Sequence, residues 1–371
     1  MPRFVRYLDA VTSIDEAPRT ASAPAVTVPP ATRTEDLVTA LCATAMMLGV
    51  LSDSWAHNNL LAQVQREGFL TPWHGLLYAG FAATGLWTFR LAYKRRDVAP
   101  EWWRDGWPAG YKAGGIGAVI FLLAGGADAA WHTLLGIEAN IAALLSPSHL
   151  LLLIGSVLLL TSPTRSWWAN GGGRDRAVSG VLALMLATVS VSIFVTYVSA
   201  FSPAIALQPY RRGPAGTEDF TLAARGLAAY LVTTALLVLP LLLVLRRRSA
   251  VPGTATALTA GVGLFVMISQ EFPGTQTVAM VATIVAAGVV DGLLYWLDRR
   301  RGVDAPLRLP VAGALFAVVV WSAHLLALQL ASGVHWPPEL WSGTIVSTAG
   351  VGALLGGLAA RPAPEATLAR T

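Results

Sequence analysis

Long apolar stretches, separated by short polar or charged segments, run along nearly the whole chain. A helix needs about 20 mostly apolar residues to cross the hydrocarbon core of a membrane, and about ten stretches meet this requirement. The predicted spans are residues 36–57, 72–93, 112–133, 147–162, 177–201, 220–245, 253–270, 276–297, 309–332 and 340–360. The unbroken Leu, Val and Ala runs give no alternating polar face for a membrane β-strand. The sequence therefore predicts an all-α, multi-pass helical bundle embedded in a lipid bilayer.

The distribution of charge predicts the orientation of this bundle. The 371 residues are 54% hydrophobic and only 13% charged, with a net charge of +5. Basic residues cluster after the even-numbered spans, as Lys94-Arg95-Arg96, Arg165 with Arg174 and Arg176, Arg246-Arg247-Arg248, Arg299-Arg300-Arg301, and Arg361. Since basic loops stay on the cytoplasmic side, both termini are expected inside the cell, with the protein in the plasma (inner) membrane. The basic charge sets topology, and no nucleic-acid partner is expected.

Composition also predicts the character of the two tails and limits the chemistry of cysteine. Residues 1–34 are rich in Pro, Ala and Thr and lack an apolar core, so we expect a disordered cytoplasmic tail. Residues 361–371 form a second cytoplasmic tail. Cys42, the single cysteine, lies within the first span, which excludes an intramolecular disulfide and a multi-thiolate metal site.

A motif of one aspartate and two histidines occurs twice in the first four spans. DSWAH at residues 53–57 returns as DAAWH at 128–132, and a second histidine follows each copy. The matching pairs, each 75 residues apart, are Asp53 and Asp128, His57 and His132, and His74 and His149. We therefore predict a duplicated four-helix half over residues 35–162, with repeats of about 36–94 and 111–162. A six-helix half follows over residues 163–360.

The spacing within each repeat predicts a metal site. An Asp and a His four residues apart share one face of a helix. Thr71-Pro72 and Ser146-Pro147 are typical helix starts, which puts the second histidine of each copy in a first turn. Both hairpins then present one carboxylate and two imidazoles at the outer membrane face. Ionisable residues within membranes are costly and usually functional. The alternative is a pair of polar turns that only hold helix ends together by hydrogen bonds.

Six further residues are assigned accessory roles, and no residue is assigned a catalytic one. They are Trp55 and Trp131 beside the ligands, Glu138, Glu271, His324 and His335. Glu138 is either a further ligand, a group that orients an imidazole, or a solvated loop acid. His335 either completes the site, gates it, or is an ordinary loop histidine. His324 is either a helix-packing hydrogen bond or a proton or metal relay, and Glu271 either guides cations or is a loop acid.

The two motifs resemble those of a known family. DAAWH followed by LLSPSH, and DSWAH followed by FLTPWH, look like the C subunit of the particulate methane and ammonia monooxygenases. The resemblance covers about residues 36–162. It implies that Asp128, His132 and His149 are one set of copper ligands. By the same resemblance, the other three motif residues form a second set, near the place of oxygen chemistry.

The ligand set and the resemblance lead to three hypotheses. Two imidazoles and a carboxylate suit Cu(II), Zn(II) or Fe(II), and the resemblance favours copper. The first hypothesis is a monooxygenase-like subunit that oxidises a small apolar substrate with O₂, helped by partner membrane subunits or an electron donor. The second is a copper or other metal transporter or delivery protein, for which only His324 and Asp291 lie deeper in the membrane. The third is a structural membrane protein without metal.

Overall fold

The computed structural model describes residues 27–60, 71–136, 140–202, 205–211, 213–247 and 249–360. Helices account for nearly all of the regular structure in these ranges, and no β-strand occurs among them. The tail at residues 1–26, the tail at 361–371 and the loop residue Glu138 lie outside the described residues. The predicted all-α fold class is confirmed.

In the described ranges, ten main helices correspond one to one with the ten predicted spans. They are α1 (Arg33–Asn59), α2 (Pro72–Tyr93), α3 (Lys112–Leu135), α4 (Pro147–Leu160), α5 (Ala177–Phe194), α6 (Glu218–Arg247), α7 (Thr254–Ser269), α8 (Gly274–Arg301), α9 (Arg308–Ser332) and α10 (Pro338–Ala359). Eight are, by themselves or with a short adjoining helix, long and apolar enough to cross a membrane. The exceptions are α7, which has only 16 residues, and α2, whose sequence is interrupted by His74 and Arg90.

Large apolar side chains point away from the bundle along the helices. Leu86 in α2, Leu134 in α3 and Leu330 in α9 are 72%, 80% and 79% exposed. Exposure of so many large apolar side chains to water would be unfavourable. With eight membrane-length apolar helices, they identify a multi-pass protein in a lipid bilayer.

Two predicted spans end at different residues in the structure. The fourth is longer than predicted, because the short helix Ser162–Ala169 continues α4 and gives a span of 23 residues, Pro147–Ala169. The division of the chain at residue 162, which stays a prediction, falls within this span. The fifth helix ends at Phe194 and not at residue 201. Beyond it the Ala200 backbone N–H donates to Thr233 Oγ1, 2.9 Å away, so a side chain replaces the helical acceptor.

The first two hairpins cross at equivalent positions of the repeat. A Cβ atom added to Gly80 of α2 would lie 2.5 Å from Met46 Cα of α1. A Cβ atom added to Gly155 of α4 would lie 2.7 Å from the backbone nitrogen of Phe121 in α3. Gly80 and Gly155 are 75 residues apart, as are Met46 and Phe121. The duplication therefore extends to the way in which the helix backbones pack, and glycine is required at both crossings.

Two buried carboxylates fix the N-terminal end of α1 to its neighbours. Glu35 accepts a hydrogen bond from Arg95, 3.0 Å away, at the end of α2. Asp36 accepts from the Tyr111 hydroxyl at 2.8 Å and from Arg176 at 2.7 Å. Burial raises the pKa of the Tyr111 hydroxyl well above its usual value, and the charge of Asp36 raises it further. Tyr111 therefore stays protonated and remains a donor to Asp36.

Asp291 has a structural role at the start of α7. Its carboxylate accepts from the backbone N–H groups of Ala255 and Thr256, each 2.9 Å away, and from the Thr256 hydroxyl at 2.7 Å. A carboxylate in this position satisfies the unpaired donors of a helix N-terminus. Asp291 thus caps the helix that is too short to span a membrane alone.

Candidate metal centre

The helix ends bring the six predicted ligands into two groups of three. The first triad is Asp53 and His57 at the end of α1 with His74 at the start of α2, and the second triad is Asp128 and His132 at the end of α3 with His149 at the start of α4. In each triad, one ligand atom from every member lies within 4.8 Å of those of the other two.

The predicted caps hold the second histidine of each triad. The Thr71 hydroxyl accepts a hydrogen bond from the backbone N–H of His74 at 3.1 Å. The Ser146 hydroxyl accepts from the backbone N–H of His149 at 3.4 Å. Pro72 and Pro147 occupy the first helical positions, where a missing N–H costs nothing. Both histidines therefore lie at rigid helix starts.

In the first triad the carboxylate lies between two imidazoles. Asp53 Oδ2 is 3.6 Å from His57 Nδ1, and Asp53 Oδ1 is 3.7 Å from His74 Nε2. The two imidazole rings are 5.7 Å apart and steeply inclined, at 77°. The two distances between carboxylate oxygens and ring nitrogens are longer than hydrogen bonds. Ligand atoms about 2.0–2.2 Å from a shared ion would lie roughly 3–3.5 Å apart, so little movement would be needed to bind one.

The second triad has similar separations and is more deeply enclosed around its carboxylate. Asp128 Oδ2 is 3.5 Å from His132 Nε2, and Asp128 Oδ1 is 3.4 Å from His149 Nδ1. The two rings are 6.0 Å apart at 72°. Asp128 is only 1% exposed. A buried carboxylate is costly unless it is paired, hydrogen-bonded or bound to a metal ion.

The surroundings of one buried carboxylate oxygen show whether these residues fit a metal ion. Asp53 Oδ1 is shielded from solvent and has no hydrogen-bond donor within the described part of the chain. The ionisable group facing this oxygen is His74 Nε2, 3.7 Å away, which is longer than a hydrogen bond. An oxygen left in this state loses the solvation it has in water, typically about 1–3 kcal/mol. A cation bound between Asp53, His57 and His74 would supply the missing partner, so the donor set fits a transition metal.

Tyr78 lies between the two triads, and the sequence pattern did not indicate it. Its ring stacks on His74 with centroids 6.4 Å apart, one turn further along α2. The charges of both Asp53 and Asp128 act on its hydroxyl, and the charge of Asp128 also reaches His74. The triads therefore lie at the same end of the bundle, hereafter the triad end, and are electrostatically coupled. The repeat position of Tyr78 is Leu153 in the second copy, so duplication gave no signal for it.

The accessory residues do not enlarge either triad. Across the ranges that the structure describes, the only groups with metal-ligand spacing are the two triads. Trp55 lies beside the first triad and packs edge-on against Trp73, with ring centroids 6.0 Å apart. Trp131 is half-buried next to His132. Glu271 is exposed in the turn between α7 and α8.

The two remaining histidines lie in the second half of the chain. His335 is exposed, and its backbone N–H donates to the carbonyl of Ala206 at 2.8 Å. His324 is 1% exposed and its Nδ1 is 2.9 Å from Thr283 Oγ1. Since the Thr283 hydroxyl donates to Ala279 O at 2.6 Å, His324 Nδ1–H is the donor of the shared bond. His324 thus has the helix-packing hydrogen bond that was one of the two predictions for it.

Comparison with known proteins does not identify this chain. No family model, curated protein or solved structure matches it. The fold defines a multi-pass helical membrane protein, and the two triads define its candidate metal sites.

Proposed function

We propose that this chain is an integral membrane metalloprotein that binds copper at two Asp-His-His sites. The observation that carries the proposal is geometric: each triad gathers one carboxylate and two imidazoles within 4.8 Å at the end of a membrane hairpin. Three such ligands leave coordination positions for a substrate, O₂ or water. The ligand chemistry admits zinc or iron, and the resemblance of the motifs to the monooxygenase C subunit favours copper.

The orientation of the chain gives the proposed sites a location. Basic clusters follow the even-numbered spans, which supports cytoplasmic termini. In the proposed orientation the triad end lies at the outer face of the plasma (inner) membrane. The proposed role is that of a monooxygenase-like subunit acting on a small apolar substrate. Exposed leucines such as Leu134 and Leu135, which follow His132, give such a substrate a direct approach from lipid.

Bound copper would supply redox chemistry with O₂, and the protein residues would orient the ions. The caps Thr71 and Ser146 hold the helix-start histidines, and Tyr78 separates the two triads. Electrons would come from partner membrane subunits or a quinol. The monooxygenase proposal therefore predicts O₂ consumption only in the presence of such a donor.

Two features argue against a transport pathway through the bundle. Asp291 is used as a helix cap, with three hydrogen bonds to the start of α7. His324 is enclosed by the rings of Phe201, Tyr230 and Trp321, each with its centroid less than 6 Å away. A transport path should continue as accessible polar groups to the other side of the membrane, and these deeper residues do not provide it.

The test is the metal content of the full chain, purified in detergent and supplied with equimolar copper, zinc and iron. We expect copper in the wild type and almost none in the double variant His74→Ala/His149→Ala. His335→Ala is the matched control, because it removes an exposed histidine outside both triads. Copper retained by a folded double variant, or absent from the wild type, would refute the proposed sites. Zinc or iron in place of copper would refute the choice of metal alone.

A further inference from the structure

The two triads match in sequence, but their carboxylates have different surroundings. Ser148 in the second copy corresponds to Trp73 in the first, again 75 residues apart. Ser148 Oγ donates a hydrogen bond to Asp128 Oδ1 at 2.8 Å. Trp73 packs edge-on against Trp55, and Asp53 Oδ1 has no hydrogen-bond donor among the described residues. One carboxylate is therefore already stabilised by a neighbouring hydroxyl, and the other is not.

The helix-start histidines also differ in the nitrogen that faces the carboxylate. His74 turns Nδ1 toward Thr71 Oγ1 at 3.2 Å and Nε2 toward the carboxylate of its triad at 3.7 Å. His149 turns the same nitrogen, Nδ1, toward both Ser146 Oγ at 2.7 Å and its own carboxylate at 3.4 Å. A ring nitrogen that is engaged with a hydroxyl cannot bind an ion at the same time. His149 must break or exchange a contact that His74 can keep. In the first triad His57 Nδ1 is also engaged, 2.9 Å from the carbonyl oxygen of Asp53, and this leaves Nε2 of that ring for the ion.

We infer that the two triads are unequal metal sites, and that the first triad binds first and more tightly. This inference rests on the proposed metal binding. At the first triad an ion gives the buried Asp53 Oδ1 a partner that it lacks. At the second triad an ion competes with the Ser146 hydroxyl for His149 Nδ1, and it gains less from Asp128, whose Oδ1 already accepts a hydrogen bond from Ser148. The second triad fills only when the contact between Ser146 and His149 Nδ1 is released or the ring turns Nε2 to the ion.

Because the two triads are close together, the first ion to bind increases the difference in affinity between them. The charge of Asp128 acts on His74, so the sites lie within electrostatic reach of each other. A cation at the first triad makes the potential at the second more positive, and like charges in a weakly screened environment repel each other. Occupation of the first site therefore lowers the affinity of the second.

Copper(II) titration of the full chain in lipid nanodiscs, with glycine as a competing chelator, measures each site. Asp128→Asn leaves the first triad intact, and Asp53→Asn leaves the second. We expect the first triad to bind at least about tenfold more tightly, which corresponds to about 1.4 kcal/mol. Adding Ser148→Ala to the Asp53→Asn variant should tighten the remaining site by about tenfold. Adding it to the Asp128→Asn variant should change nothing, which makes that pair the matched control.

The titration separates failure of the inference from failure of the proposed metal binding. Equal affinities, a tighter second triad, or weaker binding after Ser148→Ala would overturn the inference and leave metal binding intact. No binding to the wild type or to either single variant would overturn the proposed function itself. Where an aspartate variant does not fold, His57→Gln and His132→Gln isolate the same two sites. Tighter binding to the His57→Gln chain, which keeps the second triad, than to the His132→Gln chain would equally contradict the inference.

Discussion

Tyr78 stacks on His74 with ring centroids 6.4 Å apart, and the Cε1 edge and hydroxyl of its ring lie against α3. A Cβ atom added to Gly125 would come within 2.9 Å of both Cε1 and the hydroxyl oxygen of Tyr78. Gly125 lies one turn before Asp128 in α3. Tyr78 is thus the direct packing contact between a ligand of the first triad and the helix that carries the second.

This contact predicts that Gly125→Ala disturbs the first triad from a distance. The added methyl group overlaps the Tyr78 ring, so either the ring or α3 must move, at a cost of about 1–3 kcal/mol. We expect weaker copper binding at the first triad in the Asp128→Asn background, measured by the same chelator titration. Gly126→Ala is the control, because a Cβ atom there meets nothing within 4 Å. Equal effects of the two substitutions would mean that the contact with Tyr78 does not matter.

The equivalent hairpin crossings predict matched losses of stability. Gly80→Ala and Gly155→Ala each insert a methyl group into a neighbouring backbone, at separations of 2.5 Å and 2.7 Å. We expect each to reduce the free energy of unfolding by about 1–3 kcal/mol, read as a lower melting temperature in detergent. Gly350→Ala in α10 has open space and should melt like the wild type. A normal melting temperature for both crossing variants would show that the hairpins pack differently.

The buried ion pair between Asp36 and Arg176, at the start of α1, predicts a larger loss of folding stability. Asp36→Asn removes the charge that holds Arg176, at 2.7 Å, and weakens the bond from Tyr111. Because Asp36 is fully buried, leaving its partner unpaired should cost about 3 kcal/mol. Asp175→Asn breaks an exposed ion pair with Arg33 and should cost less than about 1 kcal/mol. Thermal unfolding of the two variants compares the buried and the exposed pair directly.

The proposed orientation predicts which loops face the outside of the cell. Cys42 is the only cysteine, so a Cys42→Ala chain accepts single reporter cysteines. Ala215→Cys lies in the exposed loop before α6, and Val303→Cys lies in the exposed loop after α8. In intact cells a membrane-impermeant maleimide should label the cysteine at residue 215 and leave the one at 303 unlabelled. The reverse pattern would put the triad end on the cytoplasmic side.

Much of the architecture could be predicted because the local signals are strong. Apolar stretches of membrane length predict the helices, and Thr71-Pro72 and Ser146-Pro147 predict two helix starts that the structure confirms. The end of the fifth helix was wrong by several residues, since the chain stays apolar while its backbone turns. There Ala200 finds its hydrogen-bond partner in Thr233, a residue from the next helix, which sequence periodicity does not reveal.

The candidate site could be predicted only where the chain repeats itself. The 75-residue spacing indicates the six triad residues, and the structure brings them together in two groups. Tyr78 and Ser148 carry no such signal, because Leu153 and Trp73 stand at their repeat positions. Their contacts depend on how α2 packs on α3 and how α3 packs on α4. These tertiary relationships make the two triads different, although their motifs are the same.

The most direct test of the central claim is the copper stoichiometry of four matched chains under saturating copper. They are the wild type, Asp53→Asn, Asp128→Asn and the double variant, compared by equilibrium dialysis with folding checked by helix content. We expect two copper ions per wild-type chain, one in each single variant and none in the double variant. Two ions still bound to a folded double variant, or none bound to the wild type, would contradict the account.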